Sequence, residues 1–164
     1  MADARVVELT KVSVVVERAI EGVQPAVAYD AVSDINRMRE WSPEGRGRSA
    51  PDRPLRAGDT FAGTNRRGWR RWSTNCTVSR ADAPVAFAFD VSWAGMPVAR
   101  WGYEFEPVGG GVLVRETWKD MRRGPRGLFV KCAGLLASGV WNRAKRNAEN
   151  MRETLDRLAA TLTP

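Results

Sequence analysis

Histidine is absent from the 164-residue chain. That absence excludes Ser-His and Cys-His nucleophilic systems, the commonest metal ligand and the usual general base, so any catalysis has to use carboxylates, Tyr, Cys, Lys or Arg. Cysteine is scarce. Cys76 and Cys132 are the two; no pairing pattern compels a bridge, and without a neighbouring His neither suits a nucleophilic role. Both are expected as reduced core residues. No apolar run approaches the ~20 residues of a membrane-spanning helix, and the start MADARVVELTKV lacks the basic-then-apolar order of a signal peptide. The expected location is the cytoplasm. With no metal-ligand spacing or cofactor motif, neither a metal nor a cofactor is expected.

What is present is a chain of the length of one domain, residues 1–164, with no internal repeat, low-complexity tract or linker to invite a second. Apolar residues make up 43% and charged residues 27%, which fits an ordinary globular protein and argues against wholesale disorder. Seven Trp stand out. With 26 Lys and Arg against 19 Asp and Glu the net charge is +7, so nucleic acid and acidic lipid have to be weighed as partners. Basic residues gather at 37–71, again at 122–131, and along the C-terminal stretch, where they alternate with acids. No RNA-binding aromatic signature accompanies them. Solvated outer faces of strands and helix are the favoured reading, and nucleic acid is not expected.

Residues 11–20, KVSVVVERAI, put Val12, Val14 and Val16 on one face and read as the first strand. Pro25 suits the first turn of a short helix with Val27, Ala31 and Val32 inward, and Ile35, Met38 and Trp41 mark a second short helix ending before Ser42-Pro43. The stretch 43–59 is a Gly, Pro and Arg-rich loop with at most one short strand near 46–50. From Thr60 onward the pattern has period two. Phe61, Gly63 and Asn65 share a face; so do Trp72, Thr74, Cys76 and Val78, then Val85, Phe87, Phe89, Val91 and Trp93. Ala99, Trp101, Tyr103 and Phe105 follow, then Val112, Val114, Glu116 and Trp118. These predict antiparallel strands with one apolar face, which something must cover.

The remaining chain supplies the cover. Leu128, Cys132, Leu135, Leu136, Val140, Ala144, Asn147, Met151, Leu155, Leu158 and Leu162 recur at spacings of three and four, the signature of an amphipathic helix. Helical throughout, 126–162 would span ~55 Å, too long for a domain of this size. An irregular or bent start near Gly134 to Gly139 is therefore expected.

This order of elements resembles the START-like (Bet v 1-like, SRPBCC) superfamily in its polyketide cyclase/dehydrase branch. The matching segments are 25–34, PAVAYDAVSD, leading to Trp41-Ser42-Pro43; 58–66, GDTFAGTNR, with the later Trp72 and Cys76-Thr77-Val78; and 150–158, NMRETLDRL. The resemblance implies an α+β helix-grip fold: a curved antiparallel sheet of about six or seven strands around a long C-terminal helix, with two short helices after the first strand. It also implies a cavity between sheet and helix, used across the family for lipids, sterols, hormones, polyketides and aromatic products. It does not imply a reaction, since members include cyclases, dehydratases, carriers and receptors.

The candidate ligand-binding residues are Trp41, Phe61, Asn65, Trp72, Phe87, Phe89, Trp101, Tyr103, Trp118, Asn147 and Met151. The aromatics among them are either plain core or the wall of a cleft. Glu116 falls on the apolar side of its strand. There it is either a desolvated acid with a raised pKa, or it lies past a bulge or pairs with an Arg such as Arg100. Asn65 and Asn147 hydrogen-bond either a ligand carbonyl or the backbone. Tyr103 offers a phenol to a substrate enolate or finds a structural partner.

Three functions follow as expectations. The leading one is binding of a small hydrophobic or aromatic molecule without turnover. The second is a cyclase, aromatase or dehydratase with Glu116 or Tyr103 transferring protons and Asn65 orienting a carbonyl. The third is binding of nucleic acid or acidic lipid at the basic surface. A homodimer is left open.

Overall fold

The computed structural model describes residues 3–163. Eight strands form one antiparallel sheet: β1 (Arg5–Leu9), β2 (Ser13–Glu21), β3 (Gly45–Arg48), β4 (Thr60–Arg67), β5 (Arg70–Asp82), β6 (Ala86–Trp93), β7 (Met96–Val108) and β8 (Gly111–Asp120). Their spatial order is β1-β2-β8-β7-β6-β5-β4-β3, so β2 crosses to pair with the last strand while the middle strands form successive hairpins. The architecture is α+β and helix-grip-like. The sheet has one strand more than the upper count of the six or seven expected. β1 precedes the stretch expected to open the fold, and all five of its residues are exposed, so it carries no inward-outward alternation to detect. Thr10 makes the connecting turn, its Oγ1 accepting from the backbone N–H of Val12 and Ser13 at 3.3 and 2.9 Å. Val12, expected inward, is exposed in that turn.

The helices lie between β2 and β3 and after β8. Pro25 opens α1 (Pro25–Ser33), which buries Ala28, Tyr29, Ala31 and Val32; Val27, expected inward, faces out. A 3-10 turn at Ile35–Arg37 runs into α2 (Met38–Trp41), with Ile35, Met38 and Trp41 buried as their spacing predicts.

The long C-terminal helix is broken in two, α3 (Gly124–Ser138) and α4 (Arg143–Leu162). Gly139 ends α3 in the left-handed conformation with φ 67°, its N–H donating to the Leu135 carbonyl, a conformation glycine adopts at little cost. Asn142 restarts the helix by accepting from the Lys145 N–H at 3.0 Å. α4 packs its face of Ala144, Asn147, Met151, Leu155 and Leu158 inward as the periodicity predicts, and the Arg18–Asp156 ion pair ties it to β2.

α3 corrects the sequence reading. Leu128, Cys132 and Leu136, assigned to the covered face, are exposed. The inner side of α3 is made instead of Gly127, Val130 and Ser138, with Ala133, Gly134 and Ala137 beside them. A Cβ on Gly127 would sit 2.6 Å from the Arg122 carbonyl carbon, so only glycine permits this close approach.

Candidate functional site

Between the sheet and helices α2, α3 and α4 lies a cavity of about 250 Å³. Strand alternation places its wall. Phe61, Asn65, Trp72 and Cys76 reach it from the β4–β5 hairpin, Phe89 from β6, Trp101 and Tyr103 from β7, and Glu116 and Trp118 from β8. Trp41 closes one side from α2, and Asn147 and Met151 close another from α4. A bulge opposite Val91 and Ser92 adds Val98 to β7, and Val98 and Ala99, consecutive in sequence, both reach the cavity, as a bulge allows. Phe87 stands apart. It is fully buried, stacks edge-on against Tyr29 at 6.3 Å between centroids and does not line the cavity.

Tyr103 and Glu116 are direct cross-strand partners, with Trp101 and Trp118 the next such pair on the same face. The Tyr103 hydroxyl donates to Glu116 Oε1 at 2.8 Å. Glu116 is 2% exposed, and its Oε2 has no partner among the described residues. Arg100, offered by the sequence as an ion-pair partner, lies on the outer face and binds both Asp90 oxygens at 2.6 and 2.7 Å. Burial pushes the Glu116 carboxyl up to about 8, against the opposing pull of the Tyr103 bond. Burial also raises Tyr103 well above the usual phenol range, and the Glu116 charge and bond add to it. At neutral pH both groups therefore hold their protons. Tyr103 spends its O–H on Glu116, so the pair has one donor to offer, the protonated Glu116 carboxyl at its unpartnered oxygen.

A second polar group sits where α4 begins. Asn150 Nδ2 donates to Glu44 Oε2 at 3.2 Å, and Arg143 approaches the same oxygen at 3.6 Å. Burial lowers the Arg143 pKa; Glu44 works the other way, and nearby Arg122, Arg146 and Arg67 lower it further. Its guanidinium lies 5.6 Å from the Trp72 ring centre, a cation-π arrangement. Trp41 Nε1, Asn147 Nδ2, Asn150 Oδ1 and Glu44 Oε1 are buried without partners among the described residues. Sequence reasoning passed over Glu44, Arg143 and Asn150. Asn150 was open to detection, since it follows Asn147 by three on one helix face; Glu44 sits in a stretch without periodicity and gives no such signal.

Cys76 lines the cavity, and burial pushes its thiol up to about 11, outweighing its bonds to Thr74 and Gly63. It stays a thiol, a small apolar wall residue. Cys132, expected in the core, is exposed on the outer side of α3. No three Cys, Asp or Glu residues cluster to hold a metal among the described residues.

α3 is held over this cavity near both ends: Lys131 of α3 lies 3.8 Å from Asp120, beside the segment that leads into the helix. Arg122 forms a two-pronged ion pair with Asp120, both bonds 2.9 Å. Burial works to raise the Asp120 pKa, but its bonds to the Arg122 side chain and backbone N–H hold it below the usual range. At the far end Arg67 donates to the Ser138 carbonyl at 2.7 Å, and Arg70 donates to that of Leu136.

Comparisons with known proteins place the chain in a family and find the same overall fold in solved structures. A family profile described as polyketide cyclase / dehydrase and lipid transport matches residues 11–163. The chain belongs to that family. Among solved structures, protein Ms6760 from Mycobacterium smegmatis is 14% identical, with 97% of this chain and 98% of that one covered and a TM-score of 0.64. The Polyketide_cyc-like protein Cgl2372 from Corynebacterium glutamicum is 25% identical, with 90% of each chain covered and a TM-score of 0.59. A protein from Arthrobacter aurescens is 14% identical, covering 96% of this chain and 92% of that one, with a TM-score of 0.64. At 14% identity the first and third likenesses concern the fold alone. No curated protein matches the chain. Membership of the polyketide cyclase / dehydrase and lipid transport family implies a small hydrophobic ligand.

Proposed function

We propose that the protein holds a small, mainly aromatic or hydrophobic molecule in the cavity beneath α3 and does not transform it. The observation that carries this reading is the wall itself: Trp and Phe rings surrounding a hollow whose two matched titratable groups, Tyr103 and Glu116, are both protonated at neutral pH. Acid-base catalysis works best with one group ready to accept a proton and another ready to give one. Here Tyr103 already gives its proton to the bond with Glu116, and the protonated Glu116 carboxyl is left as a donor, which suits recognition of a keto or hydroxyl oxygen. The volume stands just below the ~300–1,000 Å³ usual for ligand pockets, so the occupant is compact.

Native mass spectrometry of the purified protein, and titration with 2-naphthol followed by quenching of tryptophan fluorescence, test this. One molecule bound per chain is expected. A cavity that takes up neither 2-naphthol nor any cellular molecule overturns the reading.

A second reading keeps the family's cyclase or dehydratase chemistry. Its support is the neutral Glu116 carboxyl, an acid able to protonate a leaving hydroxyl, with Tyr103 bonded to it and Asn65 on the same wall to orient a carbonyl. Glu116→Gln and Tyr103→Phe then each lower turnover of a polyketide-like substrate at least tenfold. Unchanged turnover in both removes it.

A further inference from the structure

We propose that the outward face of α3, together with the tip of the β4–β5 hairpin, is a docking surface for an anionic lipid bilayer. α3 turns its small residues to the cavity and its large apolar residues to solvent: Leu128 is 63%, Phe129 59% and Leu136 77% exposed. Trp141, just past the helix, is 89% exposed, and Trp69, at the hairpin tip, is 85% exposed. These residues share one surface. Arg67 and Arg70 bond the last carbonyls of α3, which sets Trp69 beside the end of the helix, and at the other side the Trp93 ring lies 6.3 Å from that of Phe129. Exposed aromatic and aliphatic side chains of this number, gathered on one face, mark an interaction site.

Charge selects the occupant. Residues 121–148 hold seven Lys and Arg and no Asp or Glu, and residues 60–75 hold four Arg and no acid. The rest of the chain has 15 basic residues against 19 acidic, so the net positive charge comes from these two segments. Asp120 pairs with Arg122 and Lys131, Glu44 with Arg143 and Glu149 with Arg146. Arg66, Arg71, Arg123, Arg126 and Lys145 form no ion pair among the described residues. A second copy on this face would bring together two surfaces that each carry an excess of positive charge, which repel. A nucleic acid would meet the arginines but leave the aliphatic side chains without a role. An anionic bilayer accepts both: basic side chains pair with headgroups while Trp, Phe and Leu enter the boundary of the acyl region. The docked helix is the one covering the cavity, so docking lays the cavity's cover against lipid.

The test is co-sedimentation with sucrose-loaded vesicles of phosphatidylcholine alone and of phosphatidylcholine with phosphatidylserine at 7:3. Binding is expected to the mixed vesicles and at least tenfold less to phosphatidylcholine, with a steep loss in high salt. Because Leu136 and Trp141 are exposed, the double variant Leu136→Asp, Trp141→Ser folds as the parent does by circular dichroism, and it loses vesicle binding at least tenfold. Arg123→Ala and Arg126→Ala each reduce it about fivefold. Equal binding to both vesicle types, no binding to either, or a double variant that binds as the parent does overturns the proposal. So does a homodimer that the double variant dissociates while vesicles stay bare, or duplex DNA bound more tightly than vesicles at the same salt. The surface is independent of what the cavity holds: 2-naphthol titration reads the cavity and sedimentation reads the surface, so either reading fails without the other.

Discussion

Along β8 the inward residues are Val112, Val114, Glu116 and Trp118 in unbroken alternation, yet the first two stand in a filled core and the last two on the wall of a hollow. The same change occurs along β6, from Phe87 to Phe89, and along β7, from Phe105 to Trp101. The difference is in the cover. Over the filled half, α1 supplies Tyr29 and Val32, and Tyr29 stacks edge-on against Phe87 and Phe105 at 6.3 and 5.7 Å. Over the hollow half, α3 supplies one valine, Val130, and otherwise glycine, alanine and serine, which leave the aromatic floor uncovered. One sheet pattern thus makes core or cavity according to the size of the side chains laid across it.

The comparison can be broken most forcefully at Phe87. Truncation to Ala removes a ring with no room for neighbours to collapse, and chemical denaturation should record a loss of ~3–5 kcal/mol, whereas half-buried Trp101→Ala costs less than half as much. Glu116 gives the next effect, through pH. Folded Glu116 keeps its proton up to about pH 8, while an unfolded Glu releases it near ~4.3. Folding therefore takes up a proton between those values, and stability falls as pH rises from about 5 to 8, then levels. Glu116→Gln should remove this slope, on the order of a few kcal/mol across the window. A smaller change fills the hollow: Ala133→Trp, pointing from α3 into the cavity, should weaken 2-naphthol binding at least tenfold with the melting temperature nearly unmoved. Least of all, Arg100→Ala breaks an exposed ion pair with Asp90 and should cost under ~1 kcal/mol.

The comparison also separates what the sequence discloses from what it conceals. Period-two alternation names the inward residues of β4 to β8, so Phe61, Trp72, Trp101, Tyr103, Glu116 and Trp118 were identifiable as one face before any coordinates. Alternation is blind to what stands opposite. It could not separate Phe87, in the filled half, from Phe89, at the cavity. Nor does apolar spacing in a helix tell which face is covered: Leu128, Cys132 and Leu136 obey the spacing of a covered face and lie outside, while the face turned inward is the one that carries Gly127, where α3 passes too close to the Arg122 backbone for a side chain. β1 left no trace, being an edge strand exposed on both sides. The break in the long helix was legible from length, since ~37 residues of continuous helix exceed the diameter of such a domain.

That break at Gly139 makes the cavity's cover a separable part. α3 is joined to α4 by a left-handed glycine and a capped restart at Asn142, and its anchors, Asp120 on β8 and the arginines of the β4–β5 hairpin, lie outside it. The fifteen residues Gly124–Ser138 therefore form a cassette. Replacing them redraws both the roof of the chamber and the outer apolar face in one exchange, while Leu155 and Leu158, which hold α4 to the sheet, are untouched. A fold arranged this way can acquire a new occupant by a local substitution, without rebuilding its core.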